Sequence, residues 1–437
     1  MRPNCKKHGF NVKICEKMET EDQKSNMLDA FFRIHDFLVS HTTTPIRRLL
    51  MDEIEWNDRL IAIKGGRGVG KTDFLLARVK EVEEAWNKAA DDEPVNHRRK
   101  KSMKDVRPCL YVSLSDFYFT ENTLIDLAGK FVKLGGQYLF LDHVFKYPNW
   151  SRELKRCYTK YKTLHIIFCA TPVMPLEEDN HDISDIVKTY NLRGFSFREY
   201  LNLQTGLRLR PYSLEDLLQH HASISREICD RVSPLSYFHD YINHGYYPSY
   251  LEEKSFEAAL LKTMNTMLEV DVLMIKQIDV SYLPKLRKLL YILLREAPCA
   301  LNVSNISEEI GLSRATTMNY IKYLKDSRLI NLLYLENKNF PMKPTKAYMQ
   351  NSNLAQMIFT REVSKQDLYE TCFYASIHGS HKVNATERSA MFVVDGKYYF
   401  DVREEASLRD TIRPTAVGEL ELGRGNQMPL WLLGFLY

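Results

Sequence analysis

The chain has 437 residues, of which 44% are hydrophobic and 27% charged, and its formal net charge is +4. This length accommodates about three compact domains, and the composition is that of an ordinary globular protein. No apolar stretch approaches the roughly 18 residues that a membrane helix needs, so we expect no membrane span, and the mild charge neither requires nor excludes a nucleic-acid partner. The eight cysteines form no CxxC pair, so we expect reduced thiols and a cytoplasmic location.

The N-terminal third begins with a helical pattern and continues with a strand. Within the first forty residues, the apolar side chains that share one predicted helix face are Leu28, Phe31, Phe32, Ile34, Phe37 and Leu38. Residues 59–64 predict a strand and residues 73–82 predict a helix. The segment between them matches the pattern GxxxxGK[ST] and consists of Gly65, Gly66, Arg67, Gly68, Val69, Gly70, Lys71 and Thr72.

This glycine-rich segment predicts a phosphate-binding loop. Glycines let the backbone curl until several N–H groups point at one phosphate, and the positive end of the following helix adds to the attraction. We expect Lys71 to bridge the β- and γ-phosphates and the Thr72 hydroxyl to bind Mg²⁺. The alternative is a structural glycine turn, which the strand before the segment and the helix after it disfavour.

Residues 81–108 carry acidic residues and then a basic block, so we expect an exposed insertion. The basic residues of this block are Arg98, Arg99, Lys100, Lys101 and Lys104. Two interpretations remain, a nucleic-acid patch or a solvated loop whose cations are balanced by its own acids, and the second is favoured.

Three further apolar runs, at 109–114, 138–142 and 164–169, predict buried strands of a parallel sheet. Asp142 ends the second run, where a phosphate-loop site needs a carboxylate that holds Mg²⁺ through water. Thr171 follows the third run and is a candidate for a hydrogen bond to the γ-phosphate or to the attacking water. ATPases with an extra central strand usually place a glutamate base directly after the aspartate, and here that position is His143. Since loss of a positioned base costs about 10²–10⁴ in rate, the sequence predicts ATP binding with slow or absent hydrolysis.

The second half of the chain begins with a helical region, and a pattern of three helices and a strand follows. Residues 206–280 are mostly helical in pattern. A helix at 283–294, a second at 305–310 capped by Ser304, a turn at Gly311, a third at 313–324 and a strand at 330–334 predict a winged helix-turn-helix. The third helix carries the residues that we expect to face a DNA groove: Arg314, Thr316, Thr317, Asn319, Lys322 and Lys325. The alternative, slightly favoured by the modest net charge, is that this unit packs against the phosphate-loop domain and contacts no DNA.

The chain resembles prokaryotic AAA-type ATPases that carry a C-terminal domain of unknown function. The resemblance covers nearly the whole chain and rests on the loop with its preceding strand end (63–72), LFLDH (139–143), KYPNW (146–150), FSFREYL (195–201) and the closing segment 429–437. It implies a P-loop ATPase module, a winged helix and a domain similar to restriction-endonuclease-like folds, with mobile-element and defence roles suggested. It also implies adenine rather than guanine as the base.

The chain departs from this family at three places. His143 replaces the family's glutamate, and Phe145 replaces its histidine. Asp185 and Ile186 occupy the places of an arginine pair suited to a finger role. In the terminal domain, Met391 occupies the first acidic position of the nuclease pattern, with Asp401 at the second and Arg403 near the lysine, so we expect no nuclease activity. A hairpin with a turn at 395–396 is expected in this domain.

The expected fold class is therefore α/β, an AAA-type P-loop NTPase. Its parallel sheet is followed by a helical lid, a winged helix-turn-helix and a C-terminal α/β nuclease-like domain. The expected boundaries are 1–45, 46–205, 206–280, 281–340 and 341–437. The expected partners are ATP and Mg²⁺, DNA through the winged helix as the alternative, and a further copy of the chain.

Overall fold

A five-stranded parallel sheet forms the centre of the first half of the chain. The computed structural model describes residues 28–43, 45–92, 106–176, 180–251, 255–357 and 362–437. The strands are β1 (Leu60–Lys64), β2 (Cys109–Ser113), β3 (Tyr138–Asp142), β4 (His165–Ala170) and β5 (Lys188–Asn191). They pair in the order β2-β3-β4-β1-β5, so β4 is inserted between the strand that precedes the glycine loop and the strand that ends at Asp142. Four of the five strands were predicted, whereas β5 was not.

The central strands are apolar throughout because both faces of the sheet are covered. Ile61 and Ile63 pack into the core on one face, while Leu60 and Ala62 pack into the core on the other. All four side chains are fully buried. The helices of this domain are α1 (28–41), α2 (Leu50–Glu53), α3 (Lys71–Asp92), α4 (Leu124–Lys133) and α5 (Trp150–Lys160).

The structure corrects the predicted end of the helix after the loop and the predicted start of the insertion. The helix after the loop does not end near residue 82, because α3 continues to Asp92 and buries Ala90; residues 81–92 are therefore helix and not insertion. The basic block at 98–104 lies outside the described residues. In α1, Ile34 and Phe37 are exposed, and His35 is buried on the inner face, where its Nδ1 accepts a hydrogen bond from the Tyr111 N–H.

The lid is helical, as predicted, and it includes two π-helical segments. We keep the name lid for residues 206–280, and α6 (Phe197–Thr205) precedes it. The helices of the lid are α7 (Leu214–Cys229), α8 (Pro234–Asp240) and α9 (Phe256–Thr266), and its π-helical segments are Tyr241–Gly245 and Met267–Met274. Helix α6 begins with a capping box in which Ser196 and Glu199 satisfy each other's backbone N–H groups.

Three helices and two antiparallel strands follow, and we name residues 283–349 the three-helix unit. Its elements are α10 (Leu283–Glu296), α11 (Val303–Ile310), α12 (Arg314–Asp326), β6 (Ile330–Leu333) and β7 (Lys346–Met349). The cap predicted at Ser304 is wrong, because α11 begins at Val303, two residues earlier than predicted, and the Asn302 side chain accepts from the Asn305 N–H. Ser313, predicted as the first residue of the third helix, is the residue that caps α12.

The C-terminal unit, residues 352–437, contains a mixed five-stranded sheet. Its elements are α13 (Ser352–Ala355), α14 (Lys365–Ile377), β8 (Val383–Asn384), β9 (Phe392–Val394), β10 (Tyr398–Arg403), β11 (Thr415–Val417) and β12 (Gln427–Pro429). The predicted hairpin is present between β9 and β10, and both turn residues, Asp395 and Gly396, have positive φ. The closing segment Leu430–Phe435 is buried throughout. Within the described part of the chain, no helix combines the length and apolarity needed to cross a bilayer.

Candidate nucleotide-binding site

The glycine loop joins β1 to α3 in a conformation that only glycine adopts freely. Gly68 and Gly70 have φ values of 77° and 86°, in the left-handed region where a side chain is strained. The lid covers both positions, because a Cβ at Gly68 would lie 3.2 Å from Tyr247 and a Cβ at Gly70 would lie 3.4 Å from Pro248. The loop therefore lies between the sheet and the lid, at the N-terminus of a long helix.

Lys71 is half-buried, and its side chain folds back onto the loop. Its Nζ donates to the carbonyl oxygens of Gly65 and Gly66 at 2.8 and 2.7 Å. Burial lowers the pKa of Lys71 because the ammonium loses its hydration. An incoming phosphate would offer this ammonium a charged acceptor in place of two neutral carbonyls, which favours transfer of these hydrogen bonds to the ligand.

Asp142 is the centre of a hydrogen-bond network at the end of β3. The Thr72 hydroxyl donates to its Oδ2 at 2.6 Å, and the Tyr111 hydroxyl donates to the same oxygen at 3.0 Å. The His143 N–H donates to Oδ1 at 2.7 Å. Burial opposes ionisation of this carboxyl, but the charge interaction with His143 and these donors hold its pKa below the ordinary value. Asp142 is therefore an anion at neutral pH, next to the hydroxyl expected to bind Mg²⁺.

His143 has a left-handed backbone (φ 52°), and its side chain is 40% exposed. Its Nδ1 lies 3.1 Å from the Ser113 hydroxyl. Burial lowers the pKa of His143, and the nearby cations Lys146, Arg67 and Lys71 lower it further, whereas Asp142 opposes the shift. The imidazole is therefore neutral at pH 7.

Thr171 is 4% exposed, and its hydroxyl has no hydrogen-bond partner among the described residues. It lines a cavity of about 280 Å³ together with Lys71, Thr72, Asp142 and His143. The structure thus brings the four predicted catalytic residues and the predicted metal ligands to one cavity. Their chemical roles stay predictions.

Of the remaining loop residues, Gly68 and Gly70 line the same cavity, and Gly65, Gly66 and Val69 line a second one. Arg67 lines both. Sequence reasoning placed Arg67 in the loop but assigned it no partner.

Arg67 forms a buried ion pair with the lid. Its Nε and Nη2 donate to the two carboxylate oxygens of Asp271 at 3.0 and 2.9 Å, and its guanidinium lies 5.0 Å from the centre of the Phe145 ring. Asp271 is fully buried, and burial raises its pKa although Arg67 opposes the shift. This bidentate pair fastens the lid to the loop.

Asp271→Asn is expected to destabilise the protein by about 3 kcal/mol, because it leaves the Arg67 guanidinium without its carboxylate in a largely buried place. The matched control is Glu269→Gln, in the same segment, whose pair with Arg287 is exposed on both sides and is worth at most about 1 kcal/mol. Thermal unfolding of both variants checks this. The account predicts a melting temperature lowered by several degrees for Asp271→Asn only, and equal melting temperatures would contradict it.

An apolar cavity of about 390 Å³ adjoins the phosphate cavity, since Gly70, Asp73 and Pro248 line both. Its apolar walls are the side chains Ile46, Met51, Phe74, Ala77, Phe195 and Leu251. Charged side chains, among them Arg47, Lys80 and Glu81, line the rest of this cavity. An apolar wall beside the charged and polar groups around Lys71 and Asp142 is compatible with the two ends of a nucleotide.

His378, on the C-terminal unit, lies in the second cavity near the loop. Burial lowers its pKa to about 4, and the charges of Arg328, Lys325 and Arg193 contribute. Because the folded pKa lies below the ordinary value of 6.5, the unfolded chain binds the proton first as pH falls. Stability from this group is complete above about pH 6.5 and is lost as the pH falls toward 4.

At pH 5 this loss is expected to reach about 2 kcal/mol relative to pH 7. We expect the fall in melting temperature between pH 7 and pH 5 to be smaller in His378→Gln than in the wild type. An equal fall in the two proteins would show that His378 carries no such charge penalty.

The described residues contain no group of three or more His, Cys, Asp and Glu side chains arranged to hold a metal ion. At the predicted nuclease position, the Met391 N–H donates to Asp401 Oδ1 at 3.2 Å, and Arg413 Nε lies 3.8 Å from the other carboxylate oxygen. Asp401 thus faces a guanidinium, and Arg403 is exposed.

Two family descriptions match the chain. An AAA domain matches residues 57–201, and a domain of unknown function (DUF8612) matches residues 235–359. Among curated proteins, the uncharacterized protein MJ1637 of Methanocaldococcus jannaschii is 23% identical over 301 residues, which are 65% of this chain and 59% of that protein.

Two solved structures are also similar in part. PCH-2 of C. elegans has 15% identity over 45% of this chain and 47% of its own, with a TM-score of 0.21. AMPPCP-bound DnaA of Aquifex aeolicus has 13% identity over 68% of this chain and 87% of its own, with a TM-score of 0.23. TM-scores this low carry no argument about the arrangement of the chain. The matched AAA domain, together with the five-stranded parallel sheet and its glycine loop, makes residues 57–201 an AAA-type P-loop domain.

Proposed function

We propose that the chain binds ATP with Mg²⁺ between the phosphate loop and the lid, and acts as a nucleotide-dependent switch with slow or absent hydrolysis. One observation carries the proposal: the Thr72 hydroxyl and the Asp142 carboxylate lie 2.6 Å apart beside the half-buried Lys71. These are the groups that hold Mg²⁺ and the terminal phosphates in P-loop sites.

The triphosphate would lie against the backbone amides of residues 65–72 and the N-terminus of α3, where helix dipole and free N–H groups favour an anion. The base would enter the adjoining apolar cavity between Phe74 and Leu251. This placement agrees with an adenine nucleotide, and the preference over guanine rests on the family resemblance.

The switch would operate through the lid. Arg67 is held by Asp271, and Tyr247 and Pro248 pack on the loop glycines, so a ligand that moves the loop must also move these lid residues. The unpartnered Thr171 hydroxyl faces the same cavity and supplies a hydrogen bond to a γ-phosphate that ADP lacks. A difference of this kind between two ligands is what shifts a two-state equilibrium.

Slow hydrolysis follows from His143. The neutral imidazole carries no charge with which to hold an attacking water strongly, and its Nδ1 lies within hydrogen-bond distance of Ser113. A glutamate at this position would reach further and would be charged.

Equilibrium binding of a fluorescent ATP analogue, with Mg²⁺ or with EDTA, tests the binding proposal, and phosphate release is followed in the same samples. We expect saturable, Mg²⁺-dependent binding with turnover well below the ordinary enzyme range of about 1–10³ s⁻¹. Absence of Mg²⁺-dependent binding would overturn the proposal. Turnover within the ordinary range would retain the site and reject the slow switch.

The second candidate is DNA binding by the three-helix unit as a winged helix. It is supported by the order of three helices and an antiparallel strand pair, and by the exposure of Arg314 and Asn319 on α12. Thr317 is fully buried and donates to the Ser313 carbonyl, so its expected contact with a groove is wrong. Lys322 is paired with Asp326 at 2.5 Å, which reduces the positive charge of this face.

The salt dependence of DNA affinity tests this alternative. Phosphate contacts impose a slope of about −0.9 per contact on the logarithm of affinity against the logarithm of salt. We expect Arg314→Gln to reduce this slope by about one if α12 contacts the backbone. Binding that is undetectable or independent of salt would remove the alternative.

Two further predictions concern other surfaces. Asp185 and Ile186 supply no guanidinium, so a neighbouring copy of the chain, if it completes the site, would have to use other residues. The nuclease-like assignment of residues 341–437 stays a prediction, and the Met391 position argues against a catalytic metal there.

A further inference from the structure

A second cavity, of about 170 Å³, adjoins the phosphate loop and is separate from the cavity that holds Lys71 and Thr72. Every unit of the chain contributes to its walls. Its polar and loop residues include Gly66, Arg67, Arg193, Arg328, Gln350 and His378. Three arginines line this cavity, and none of its lining residues in the described chain is a carboxylate.

Two of these guanidiniums have no anionic partner. Arg67 is neutralised by Asp271, but neither Arg193 nor Arg328 lies within ion-pair distance of a carboxylate among the described residues. Arg193 donates from Nη2 to the Ser380 hydroxyl at 3.1 Å and stacks on the Tyr437 ring at 4.4 Å, while its buried Nη1 has no acceptor. Buried donors of this kind are usually satisfied by a partner that completes the site.

Backbone conformation and the space left by neighbouring glycines determine where the two arginines lie. Arg328 has a left-handed φ of 67°, a costly conformation for a residue that is not glycine, and its Cβ would lie 3.8 Å from a Cβ at Gly66. Gly379 leaves room for the other arginine, because a Cβ there would lie 1.7 Å from the Arg193 Cζ. Gln350 adds an orphaned buried Oε1, an acceptor that a ligand hydroxyl could satisfy.

The imidazole of His378 does not add to the charge of the cavity. Burial is the main cause of its low pKa, and the charges of Arg328, Lys325 and Arg193 lower it further, so the imidazole is neutral at pH 7. An anion bound between the arginines would oppose those positive charges.

We propose that this cavity binds a phosphoryl group of a small ligand, held by the guanidiniums of Arg193 and Arg328, as a site distinct from the phosphate loop. A tetrahedral oxyanion accepts hydrogen bonds from several guanidinium N–H groups at once, and a protonated phosphate oxygen can donate to Gln350. The ligand is either free orthophosphate or the terminal phosphate of a nucleotide. Since the walls come from the loop, the lid, the three-helix unit and the C-terminal unit, occupancy ties these four parts to one another.

The test uses the full chain with Lys71→Ala, which removes the loop ammonium, so that phosphate binding is measured at the second site alone. Orthophosphate, ADP and ATP are titrated by calorimetry at constant ionic strength in chloride. We expect saturable binding of one orthophosphate per chain, and binding about tenfold or more weaker when Arg328→Gln is added. Adding the exposed Arg231→Gln instead, which changes net charge equally, should leave affinity unchanged.

Gly379→Ala tests whether phosphate binding depends on the position of the Arg193 guanidinium. The variant keeps both arginines and places a methyl group where that guanidinium lies. We expect it to weaken orthophosphate binding about tenfold in the Lys71→Ala chain while the melting temperature of the unliganded protein stays near that of its parent. Tighter binding of ADP or ATP than of orthophosphate, with the same dependence on Arg328, would identify a nucleotide as the ligand. The proposal is overturned if the Lys71→Ala chain binds none of the three ligands saturably, or if binding is indifferent to both Arg328→Gln and Gly379→Ala. Loss of ATP binding in the wild type would count against the phosphate loop alone and not against this site.

Discussion

Lys71→Ala is expected to weaken binding of Mg·ATP by about a hundredfold or more. The half-buried ammonium lies beside Gly65 and Gly66, where it can donate to phosphate oxygens with reduced competition from water. Each charge-assisted hydrogen bond is worth about 1.5–3 kcal/mol, and a lysine that bridges two phosphates makes at least two of them.

The measurement is equilibrium titration with a fluorescent ATP analogue in the presence of Mg²⁺. Lys88→Ala is the matched control, because Lys88 lies on the same helix and is exposed. Its affinity should equal that of the wild type. Melting temperatures of the two variants check that the chain remains folded, since Lys71 also holds the loop carbonyls. A Lys71→Ala protein that binds the analogue within threefold of the wild type would show that the loop is not the site.

Replacing His143 with glutamate is expected to raise the rate of ATP hydrolysis by about 10²–10⁴. The reason is the position of His143, directly after Asp142 and at the edge of the phosphate cavity, with a neutral side chain at pH 7. A carboxylate at this place would orient water and accept its proton beside the bound γ-phosphate.

His143→Gln is the control for this variant. Glutamine has the shape of glutamate without its charge. Both side chains would be equally strained by the left-handed backbone conformation at residue 143. Phosphate release at saturating Mg·ATP should rise in the glutamate variant only, and the rise should vanish when Lys71→Ala is added. The hypothesis fails if hydrolysis by the wild type is already rapid and falls in His143→Gln, because the imidazole would then be the base.

The positions of the predicted catalytic residues could be predicted because these residues end or follow buried strands. A strand such as Tyr138–Asp142 is largely apolar on both faces, so the polar residue at its end lies at the edge of the sheet. Since the strands are parallel, Asp142 and Thr171 meet at the same edge, next to the glycine loop. The apolar pattern of the strands and the parallel topology of the sheet therefore predict the same position for these two residues.

Features that depend on distant contacts were not predictable. Strand β5, Lys188–Asn191, is polar and partly exposed at the edge of the sheet, so it has no apolar run to reveal it. The Arg67–Asp271 pair joins residues 204 positions apart, and its one local signal is a carboxylate within the largely apolar segment Met267–Met274. The left-handed conformation of Arg328 has no signature in the sequence at all.

The length of α3 was underestimated for a different reason. Residues 81–92 are rich in charge, which favours a loop when composition alone is considered. The helix nevertheless buries Ala90, and Arg78 and Glu81 form an ion pair three residues apart along its surface. A helix can carry charged residues on one face and bury the opposite face. Composition alone does not distinguish such a helix from a charged loop.

A crystal structure of the chain grown with Mg²⁺ and an excess of a non-hydrolysable ATP analogue tests the central claim most directly. The account predicts a triphosphate against the amides of residues 65–72, Mg²⁺ beside Thr72 and Asp142, and the Lys71 Nζ moved from the carbonyls of Gly65 and Gly66 to the phosphates. A loop that is empty at saturating ligand, with Lys71 still bonded to its own carbonyls, would contradict it.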